Sequence, residues 1–237
     1  MGKNKLARWE EMATFPNVIQ PAEEIRFGKD HPLKGNWKTD IFRNGNPVNL
    51  ELACGKGEYT IALAERYPDR NYIGVDIKGA RMWRGAKTAR ERDLQNVVFL
   101  RTRIEFIRSF FGEDEVDEIW ITFPDPHPGR RNSNKRLTSP WFLNLYRYFL
   151  KNNGIIHLKT DNDELFRYTC SIVKGNDLGI ISATDNLYAD NLAAEILSVR
   201  TYYENIFLNE GSTISYISFT LNKNKNIEDV IQQQKGQ

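Results

Sequence analysis

The chain has 237 residues, 40% of them hydrophobic and 27% charged, with a formal net charge of +2. This composition excludes low-complexity and fibrous chains, and a fold of this length can bury roughly 70% of its extended-chain surface. No apolar run approaches the ~20 residues of a bilayer span, and the start Met1-Gly2-Lys3-Asn4-Lys5-Leu6 lacks both a signal-peptide core and a myristoylation pattern, so a soluble, cytoplasmic protein is expected.

In chain order, residues 1–45, with Pro16, Pro21, Pro32 and mixed charge, read as a partly ordered extension. "VNLELA" (48–53) reads as a buried strand, followed by the loop "CGKG" and a helical period over 59–67. "NYIGVDI" (71–77) is the second strand, 79–94 the second helix, and "VVFLRT" (97–102) the third strand. A short helix near "IEFIRSFF", the strand 116–123, the helix 140–150 and the strand 154–160 follow. A helix over 163–174, "GIISAT" (179–184) and the alternating strand 212–221 complete the domain, 46–222, and 223–237 reads as a tail. Strands alternating with helices imply crossover connections and a mostly parallel, seven-stranded sheet covered on both faces. In such sheets ligands bind beyond the carboxyl ends of the strands, so the loops after 53, 77, 102, 123 and 160 are expected to share one rim.

Glu51, Gly55 and Gly57 lie at the first strand-to-helix turn, and Asp76 closes the second strand. Glycine serves where backbone must turn sharply and approach a ligand, and an acid at the second strand's end suits a ribose diol. These features fit any adenosine cofactor, or a tight turn in an unrelated α/β protein. Thr60 stands where a dinucleotide fingerprint needs its third glycine, and no Gly-Lys-Ser/Thr follows, so phosphate cradling is disfavoured. S-adenosyl-L-methionine fits better, because it carries ribose but no phosphate and its ammonium benefits from an acid such as Glu51.

"FPDPHPGRRNSNKR" (123–136) holds Asp125 between two prolines. Proline fixes its own φ and restricts the residue before it, so Phe123 and Asp125 are expected to be extended and the loop stiff. Such an acid either merely ends a strand or stabilises positive charge on a base. Arg130, Arg131, Lys135 and Arg136, with Asn and Ser neighbours, suit phosphate contacts or form a solvated face. The cations Lys78, Arg81, Arg84, Lys87 and Arg90 recur every third residue and so wind around their helix. Cys54 and Cys170 show no CxxC, His31, His127 and His157 show no metal spacing, and His157 reads as a packed sheet residue; no metal is expected.

Together "LELACGKGEYTIALA", "IGVDIKGARMWRGAK", "NVVFLR", the 123–143 stretch, "HLKTDN", "RTYYE" and "FPNVIQP" resemble the bacterial tRNA (guanine-N7)-methyltransferase family across most of the chain. The resemblance implies a Rossmann-like, S-adenosyl-L-methionine-dependent methyltransferase fold acting on the variable-loop guanine at position forty-six of tRNA. It assigns Glu51, Asp76 and Asp125 to the cofactor site, makes Asp125 the catalytic residue, and gives substrate binding to Asp161, Thr201, Tyr202, Tyr203 and Glu204. The expected partner is tRNA, with neither DNA nor membrane, and the protein a monomer or homodimer. Two positions depart from the family pattern: Arg103 stands where relatives usually have an Asp near adenine, and His127 and Gly129 replace a Trp-x-Lys, leaving Arg130 or Arg131 to supply the basic group.

Guanine N7 already bears a lone pair, so placement and nearby carboxylates matter more than a general base. Asp161 or Glu204 could accept the N1–H and N2–H donors of guanine, although Asp161 also reads as a helix cap. Three alternatives stand beside this reading: an amino-directed RNA methyltransferase, a non-catalytic tRNA-binding module, and a dinucleotide oxidoreductase, the last weakened by Thr60.

Overall fold

The computed structural model describes residues 3–21, 29–190 and 195–230; residues 22–28 of the expected extension and 231–237 of the expected tail lie outside them. The chain divides into two compact units, Met1–Val116 and Asp117–Gln237.

In the first unit β1 (Val18–Ile19), β2 (Val48–Leu52), β3 (Asn71–Asp76) and β4 (Val97–Arg101) lie in the order β1-β4-β3-β2, every pair parallel. β2 and β3 are buried along their whole length, the polar Asn49, Glu51, Asn71 and Asp76 included. Their register sets Glu51 opposite Gly74 and Asp76 opposite Arg101, so both acids come to the strands' carboxyl ends. Helices α1 (Lys3–Ala13), α2 (Glu58–Arg66) and α3 (Gly79–Glu91) belong to this unit.

Phe99, fully buried on β4, sets how closely these elements approach. A Cβ on Gly57, Gly74 or Gly85 would fall 2.5, 2.7 or 2.8 Å from its ring, so three glycines make room for one aromatic side chain. Glu115 holds down the segment after residue 29: its carboxylate accepts the backbone N–H groups of Gly35 (2.8 Å), Trp37 (3.0 Å) and Gly112 (2.7 Å). Trp37, fully buried at the start of a π-helical turn (Trp37–Phe42), donates its indole N–H to the Phe110 carbonyl at 2.7 Å. On the α1 side, Glu11 accepts from Trp83 and Lys87, both at 2.8 Å, and Arg84 pairs with Glu91. Two of the cations winding around α3 are therefore engaged within the unit.

The second unit contains β5 (Val116–Thr122), β6 (Leu150–Thr160), β7 (Ile180–Thr184) and β8 (Ser215–Leu221), in the order β5-β6-β8-β7. The last strand runs antiparallel to both β6 and β7. Its serines do not mark a wet face, because Ser215 and Ser218 are buried. Helices α4 (Pro140–Tyr146), α5 (Asp163–Gly175) and α6 (Tyr202–Asn209) start on the capping side chains Ser139, Asn162 and Thr201. His157 stacks on Trp120 with ring centroids 3.8 Å apart and shares a 2.7 Å hydrogen bond with the Tyr216 hydroxyl, so it packs within the strands.

Among the described residues eight strands are present where seven were expected, the extra one being β1, two residues long and too short to show a period. The helix expected over 140–150 ends at Tyr146, because buried Leu150 already opens β6. Within 223–230 the chain is tied in place: Lys223 O accepts from Arg147, the Asn144 side chain bonds Ile227, and Asn176 bonds Glu228. Gly74→Ala is expected to cost about 1–3 kcal/mol by overpacking Phe99, read as a lower urea midpoint at unchanged slope. Phe99→Leu in the same chain should recover part of that loss, and strictly additive losses would disprove the shared contact.

Candidate active site

In the first unit the chain leaves β2 through a turn in which Ala53, Gly55 and Gly57 all take left-handed φ values of 60°, 56° and 70°. The two glycines have different jobs. A Cβ on Gly55 would meet nothing closer than the Ala53 carbonyl at 4.0 Å, so the backbone there is open to a ligand. Gly57 is instead required by Phe99 and by Gly85, whose Cα would lie 3.4 Å from its Cβ. Packing and a left-handed φ therefore both explain Gly57.

Asp76, 8% exposed, braces this turn: Oδ2 accepts from Gly55 N at 2.9 Å and Oδ1 from Lys78 N at 2.7 Å. Each carboxylate oxygen keeps a second lone pair, enough to accept a vicinal diol without breaking the turn. Glu51, 3% exposed, accepts from Thr60 N at 2.8 Å and from the Thr60 hydroxyl through Oε2. Thr60 thus fixes the acid at the start of α2, a role the sequence reading did not give it. The thiol of buried Cys54, between the two acids in sequence, is pushed well up by burial, then by the charges of Glu51 and Asp76. The same field that opposes a thiolate opposes a phosphate and favours a cation bearing hydroxyls. Arg103 stands on the exposed side, 3.2 Å from Glu105, and its guanidinium lies 5.8 Å from the Phe106 ring centre.

The second unit carries the remaining candidates. Asp125 is exposed and has no hydrogen-bond or ion-pair partner among the described residues. Phe123 is not extended, as the following proline suggested, but left-handed at φ 48°, and His127, also before a proline, has φ 44°. Pairing imposes the first of these, since Phe123 N donates to Lys159 O at 2.8 Å. Left-handed geometry at such residues costs on the order of 1–3 kcal/mol each and survives only where surroundings enforce it. Arg130, Arg131 and Lys135 are exposed on a short 3-10 turn (Arg130–Lys135). Arg136 is not; its side chain is 4% exposed and bonds the carbonyls of Pro126 and His127, which removes it from the set of phosphate contacts.

Asp161 follows β6 directly, half-buried, and desolvation raises its carboxyl above the ordinary range while its own backbone N–H opposes the rise. It does not cap the next helix; Asn162 does, accepting from Leu165 N at 2.8 Å. Thr201 and Glu204 also differ from expectation. Thr201 is buried and caps α6, accepting from Glu204 N at 3.2 Å, the arrangement announced by the Thr-x-x-Glu spacing. Glu204 is fully buried and engaged by Lys159 Nζ at 2.8 and 2.9 Å and by the Tyr188 hydroxyl at 2.6 Å. Held so, neither can reach a base, and of the four residues only Tyr202 (52% exposed) and Tyr203 (37% exposed) face solvent.

Lys159 is fully buried and also donates to the carbonyls of Leu197 (2.8 Å) and Val199 (3.1 Å). Burial pulls its ammonium below the usual lysine range against the opposing pull of Glu204. Replacing Lys159 by Met should cost about 3–5 kcal/mol, because it strands the Glu204 carboxylate without a counter-charge. Chemical denaturation checks this, and a loss under about 1 kcal/mol would show that water relieves Glu204.

Known proteins were compared with this chain. The family described as "Putative methyltransferase" matches residues 45–217. A tRNA (guanine-N(7)-)-methyltransferase of Bacteroides fragilis (strain YCH46) is 47% identical over 221 residues, 93% of this chain and 87% of that one. That of Porphyromonas gingivalis (strain ATCC BAA-308 / W83) is 50% identical over 213 residues, 89% of this chain and 86% of its own. Among solved structures, an antibiotic-related methyltransferase superposes with a TM-score of 0.57 at 18% identity, covering 83% of this chain and 98% of that one. A 16S rRNA methyltransferase also superposes at 0.57, with 13% identity over 84% of this chain and 92% of that one. At such identities the likeness speaks for the Rossmann-like methyltransferase fold alone. With close relatives matched over nearly their whole length, this chain belongs to the tRNA (guanine-N(7)-)-methyltransferase family.

Proposed function

We propose that the chain transfers the methyl group of S-adenosyl-L-methionine to N7 of guanine at position forty-six, in the variable loop of tRNA. Family membership makes it an S-adenosyl-L-methionine-dependent enzyme methylating guanine N7 in tRNA. The position and the residue roles rest on the family pattern and the site's geometry. The observation that carries those roles is Asp125, a carboxylate without a partner among the described residues, on a loop whose neighbouring carbonyls are tied down.

When bound, the donor supplies a methyl group on a sulfonium. Asp76 accepts its ribose hydroxyls with the lone pairs the turn leaves over, Gly55 lets the backbone approach, and Glu51 adds the negative field that suits a cationic ligand. No proton has to leave guanine before N7 attacks, so no residue is required as a base. As the bond forms the purine ring becomes positive, and Asp125 stabilises that charge without reorganising. Asp161, clear of the capping role, accepts from N1–H and N2–H and so distinguishes guanine from adenine. Arg130, Arg131 and Lys135 grip phosphates, and Tyr202 and Tyr203 offer rings for stacking.

Among the described residues no helix is long and apolar enough to cross a membrane. A cytoplasmic location, where tRNA substrates are found, belongs to this same proposal.

Asp125→Ala should lower turnover by roughly two to three orders of magnitude while donor binding is kept in part. Labelled methyl transfer into an unmodified transcript, followed by borohydride and aniline, is expected to cut the wild-type product at the variable-loop guanine. An uncut but labelled strand would mean methylation at another atom, and near-normal turnover of the variant would take Asp125 out of the chemistry.

A further inference from the structure

Of the four cations that follow the Pro-Asp-Pro segment, one is turned inward. Arg130, Arg131 and Lys135 lie exposed, whereas the Arg136 side chain is 4% exposed. Its Nε lies 3.2 Å from both Pro126 O and His127 O, its Nη2 3.2 Å from His127 O, and the same nitrogen pairs with Glu164. The flat face of the guanidinium rests on Tyr168, 4.4 Å from the ring centre. The Tyr168 hydroxyl has no hydrogen-bond partner among the described residues, so this side chain serves through its ring. Glu164 completes a latch by accepting Gly129 N at 3.2 Å through the oxygen that binds Arg136.

We propose that Arg136 is a positioning residue for Asp125: from beneath the loop it clamps the two carbonyls that follow the acid and, through Glu164, fastens them to the helix that begins just after Asp161. This inference rests on the catalytic reading of Asp125. The loop needs such a clamp because two of its residues, Phe123 and His127, are held left-handed beside prolines. A chain released from one side would relax toward ordinary φ values and carry Asp125 away from where the acceptor base must lie. Only a guanidinium can do the work: it has a planar fork to bridge two carbonyls and a carboxylate at once, and a face to lie on an aromatic ring. A lysine reaches one oxygen well and stacks poorly. The side of α5 that faces the loop presents Glu164 and Tyr168, and the Tyr168 phenol, pushed up to about 12 chiefly by burial and next by Asp229, stays neutral under the cation.

A phosphate contact and a clamp give opposite results. Arg136→Lys, Glu164→Gln and Arg131→Ala would be compared by single-turnover methyl transfer at saturating donor and tRNA, by donor affinity in calorimetry, and by the salt dependence of tRNA binding. Arg136→Lys is expected to slow the saturated step about a hundred-fold, the scale of an ångström of misplacement, with donor affinity and salt slope kept. Glu164→Gln should slow it about ten-fold. Arg131→Ala, the loss of a phosphate contact, should instead show itself in the slope, lowering it by about one unit. In Tyr168, Leu should slow the step and Phe restore it. A reduced salt slope for Arg136→Lys would overturn the inference in favour of a phosphate contact. So would wild-type rates for folded Arg136→Lys and Glu164→Gln beside an inactive Asp125→Ala; an active Asp125→Ala would instead sink the parent reading, and if Arg136→Lys did not fold, Glu164→Gln would decide alone.

Discussion

An ammonium group removed from water must be met by fixed oxygens, and the second unit is arranged around one such group. Lys159 Nζ meets both oxygens of Glu204 and the carbonyls of Leu197 and Val199, while its own carbonyl accepts the amide of Phe123. One residue at the end of β6 therefore pins the segment leading into α6 and the first residue of the Asp125 loop. Asp161, two positions further on, inherits a fixed origin. Buried ion pairs add little net stability compared with apolar packing, but they tolerate few alternative arrangements once formed. Here that intolerance fixes where the chain enters the loop that carries Asp125 and where it leaves β6 at Asp161.

In the first unit the controlling quantity is electrical. Two buried carboxylates, each satisfied by amide donors, lie near the ends of β2 and β3, and their charges add to the burial that pushes the Cys54 thiol up. A glycine-containing turn after a first strand commonly signals phosphate, but this one is built with the opposite sign. The turn's geometry says only that the backbone at Gly55 is open to close approach. Its charge disfavours an anion.

Much of this was legible in the sequence, for identifiable reasons. Strand ends, glycine turns and proline corners are local, so Gly55, Asp76 and the loop at Asp125 could be placed from residue type and spacing. What a charged side chain does after the chain folds is not local. Arg131 lies on the 3-10 turn and Arg136 is the extended residue just after it, and nothing in the letters says which will face inward. Glu204 and Lys159 look like surface charges until tertiary packing brings them together, although the Thr-x-x-Glu spacing at 201–204 and a lysine inside an apolar strand were available hints. Phe123 misled because the rule for residues before proline describes an average, and a ladder hydrogen bond to Lys159 overrode it.

The ring of Phe99 lies against Gly57, Gly74 and Gly85, which belong to three different elements of the first unit. None of the three glycines can gain even a methyl group unless the ring shrinks, and a smaller residue at 99 would open a void that three hydrogens cannot fill. The distance between the turn after β2 and the strand that supports it is therefore guarded by volume rather than by any chemical group.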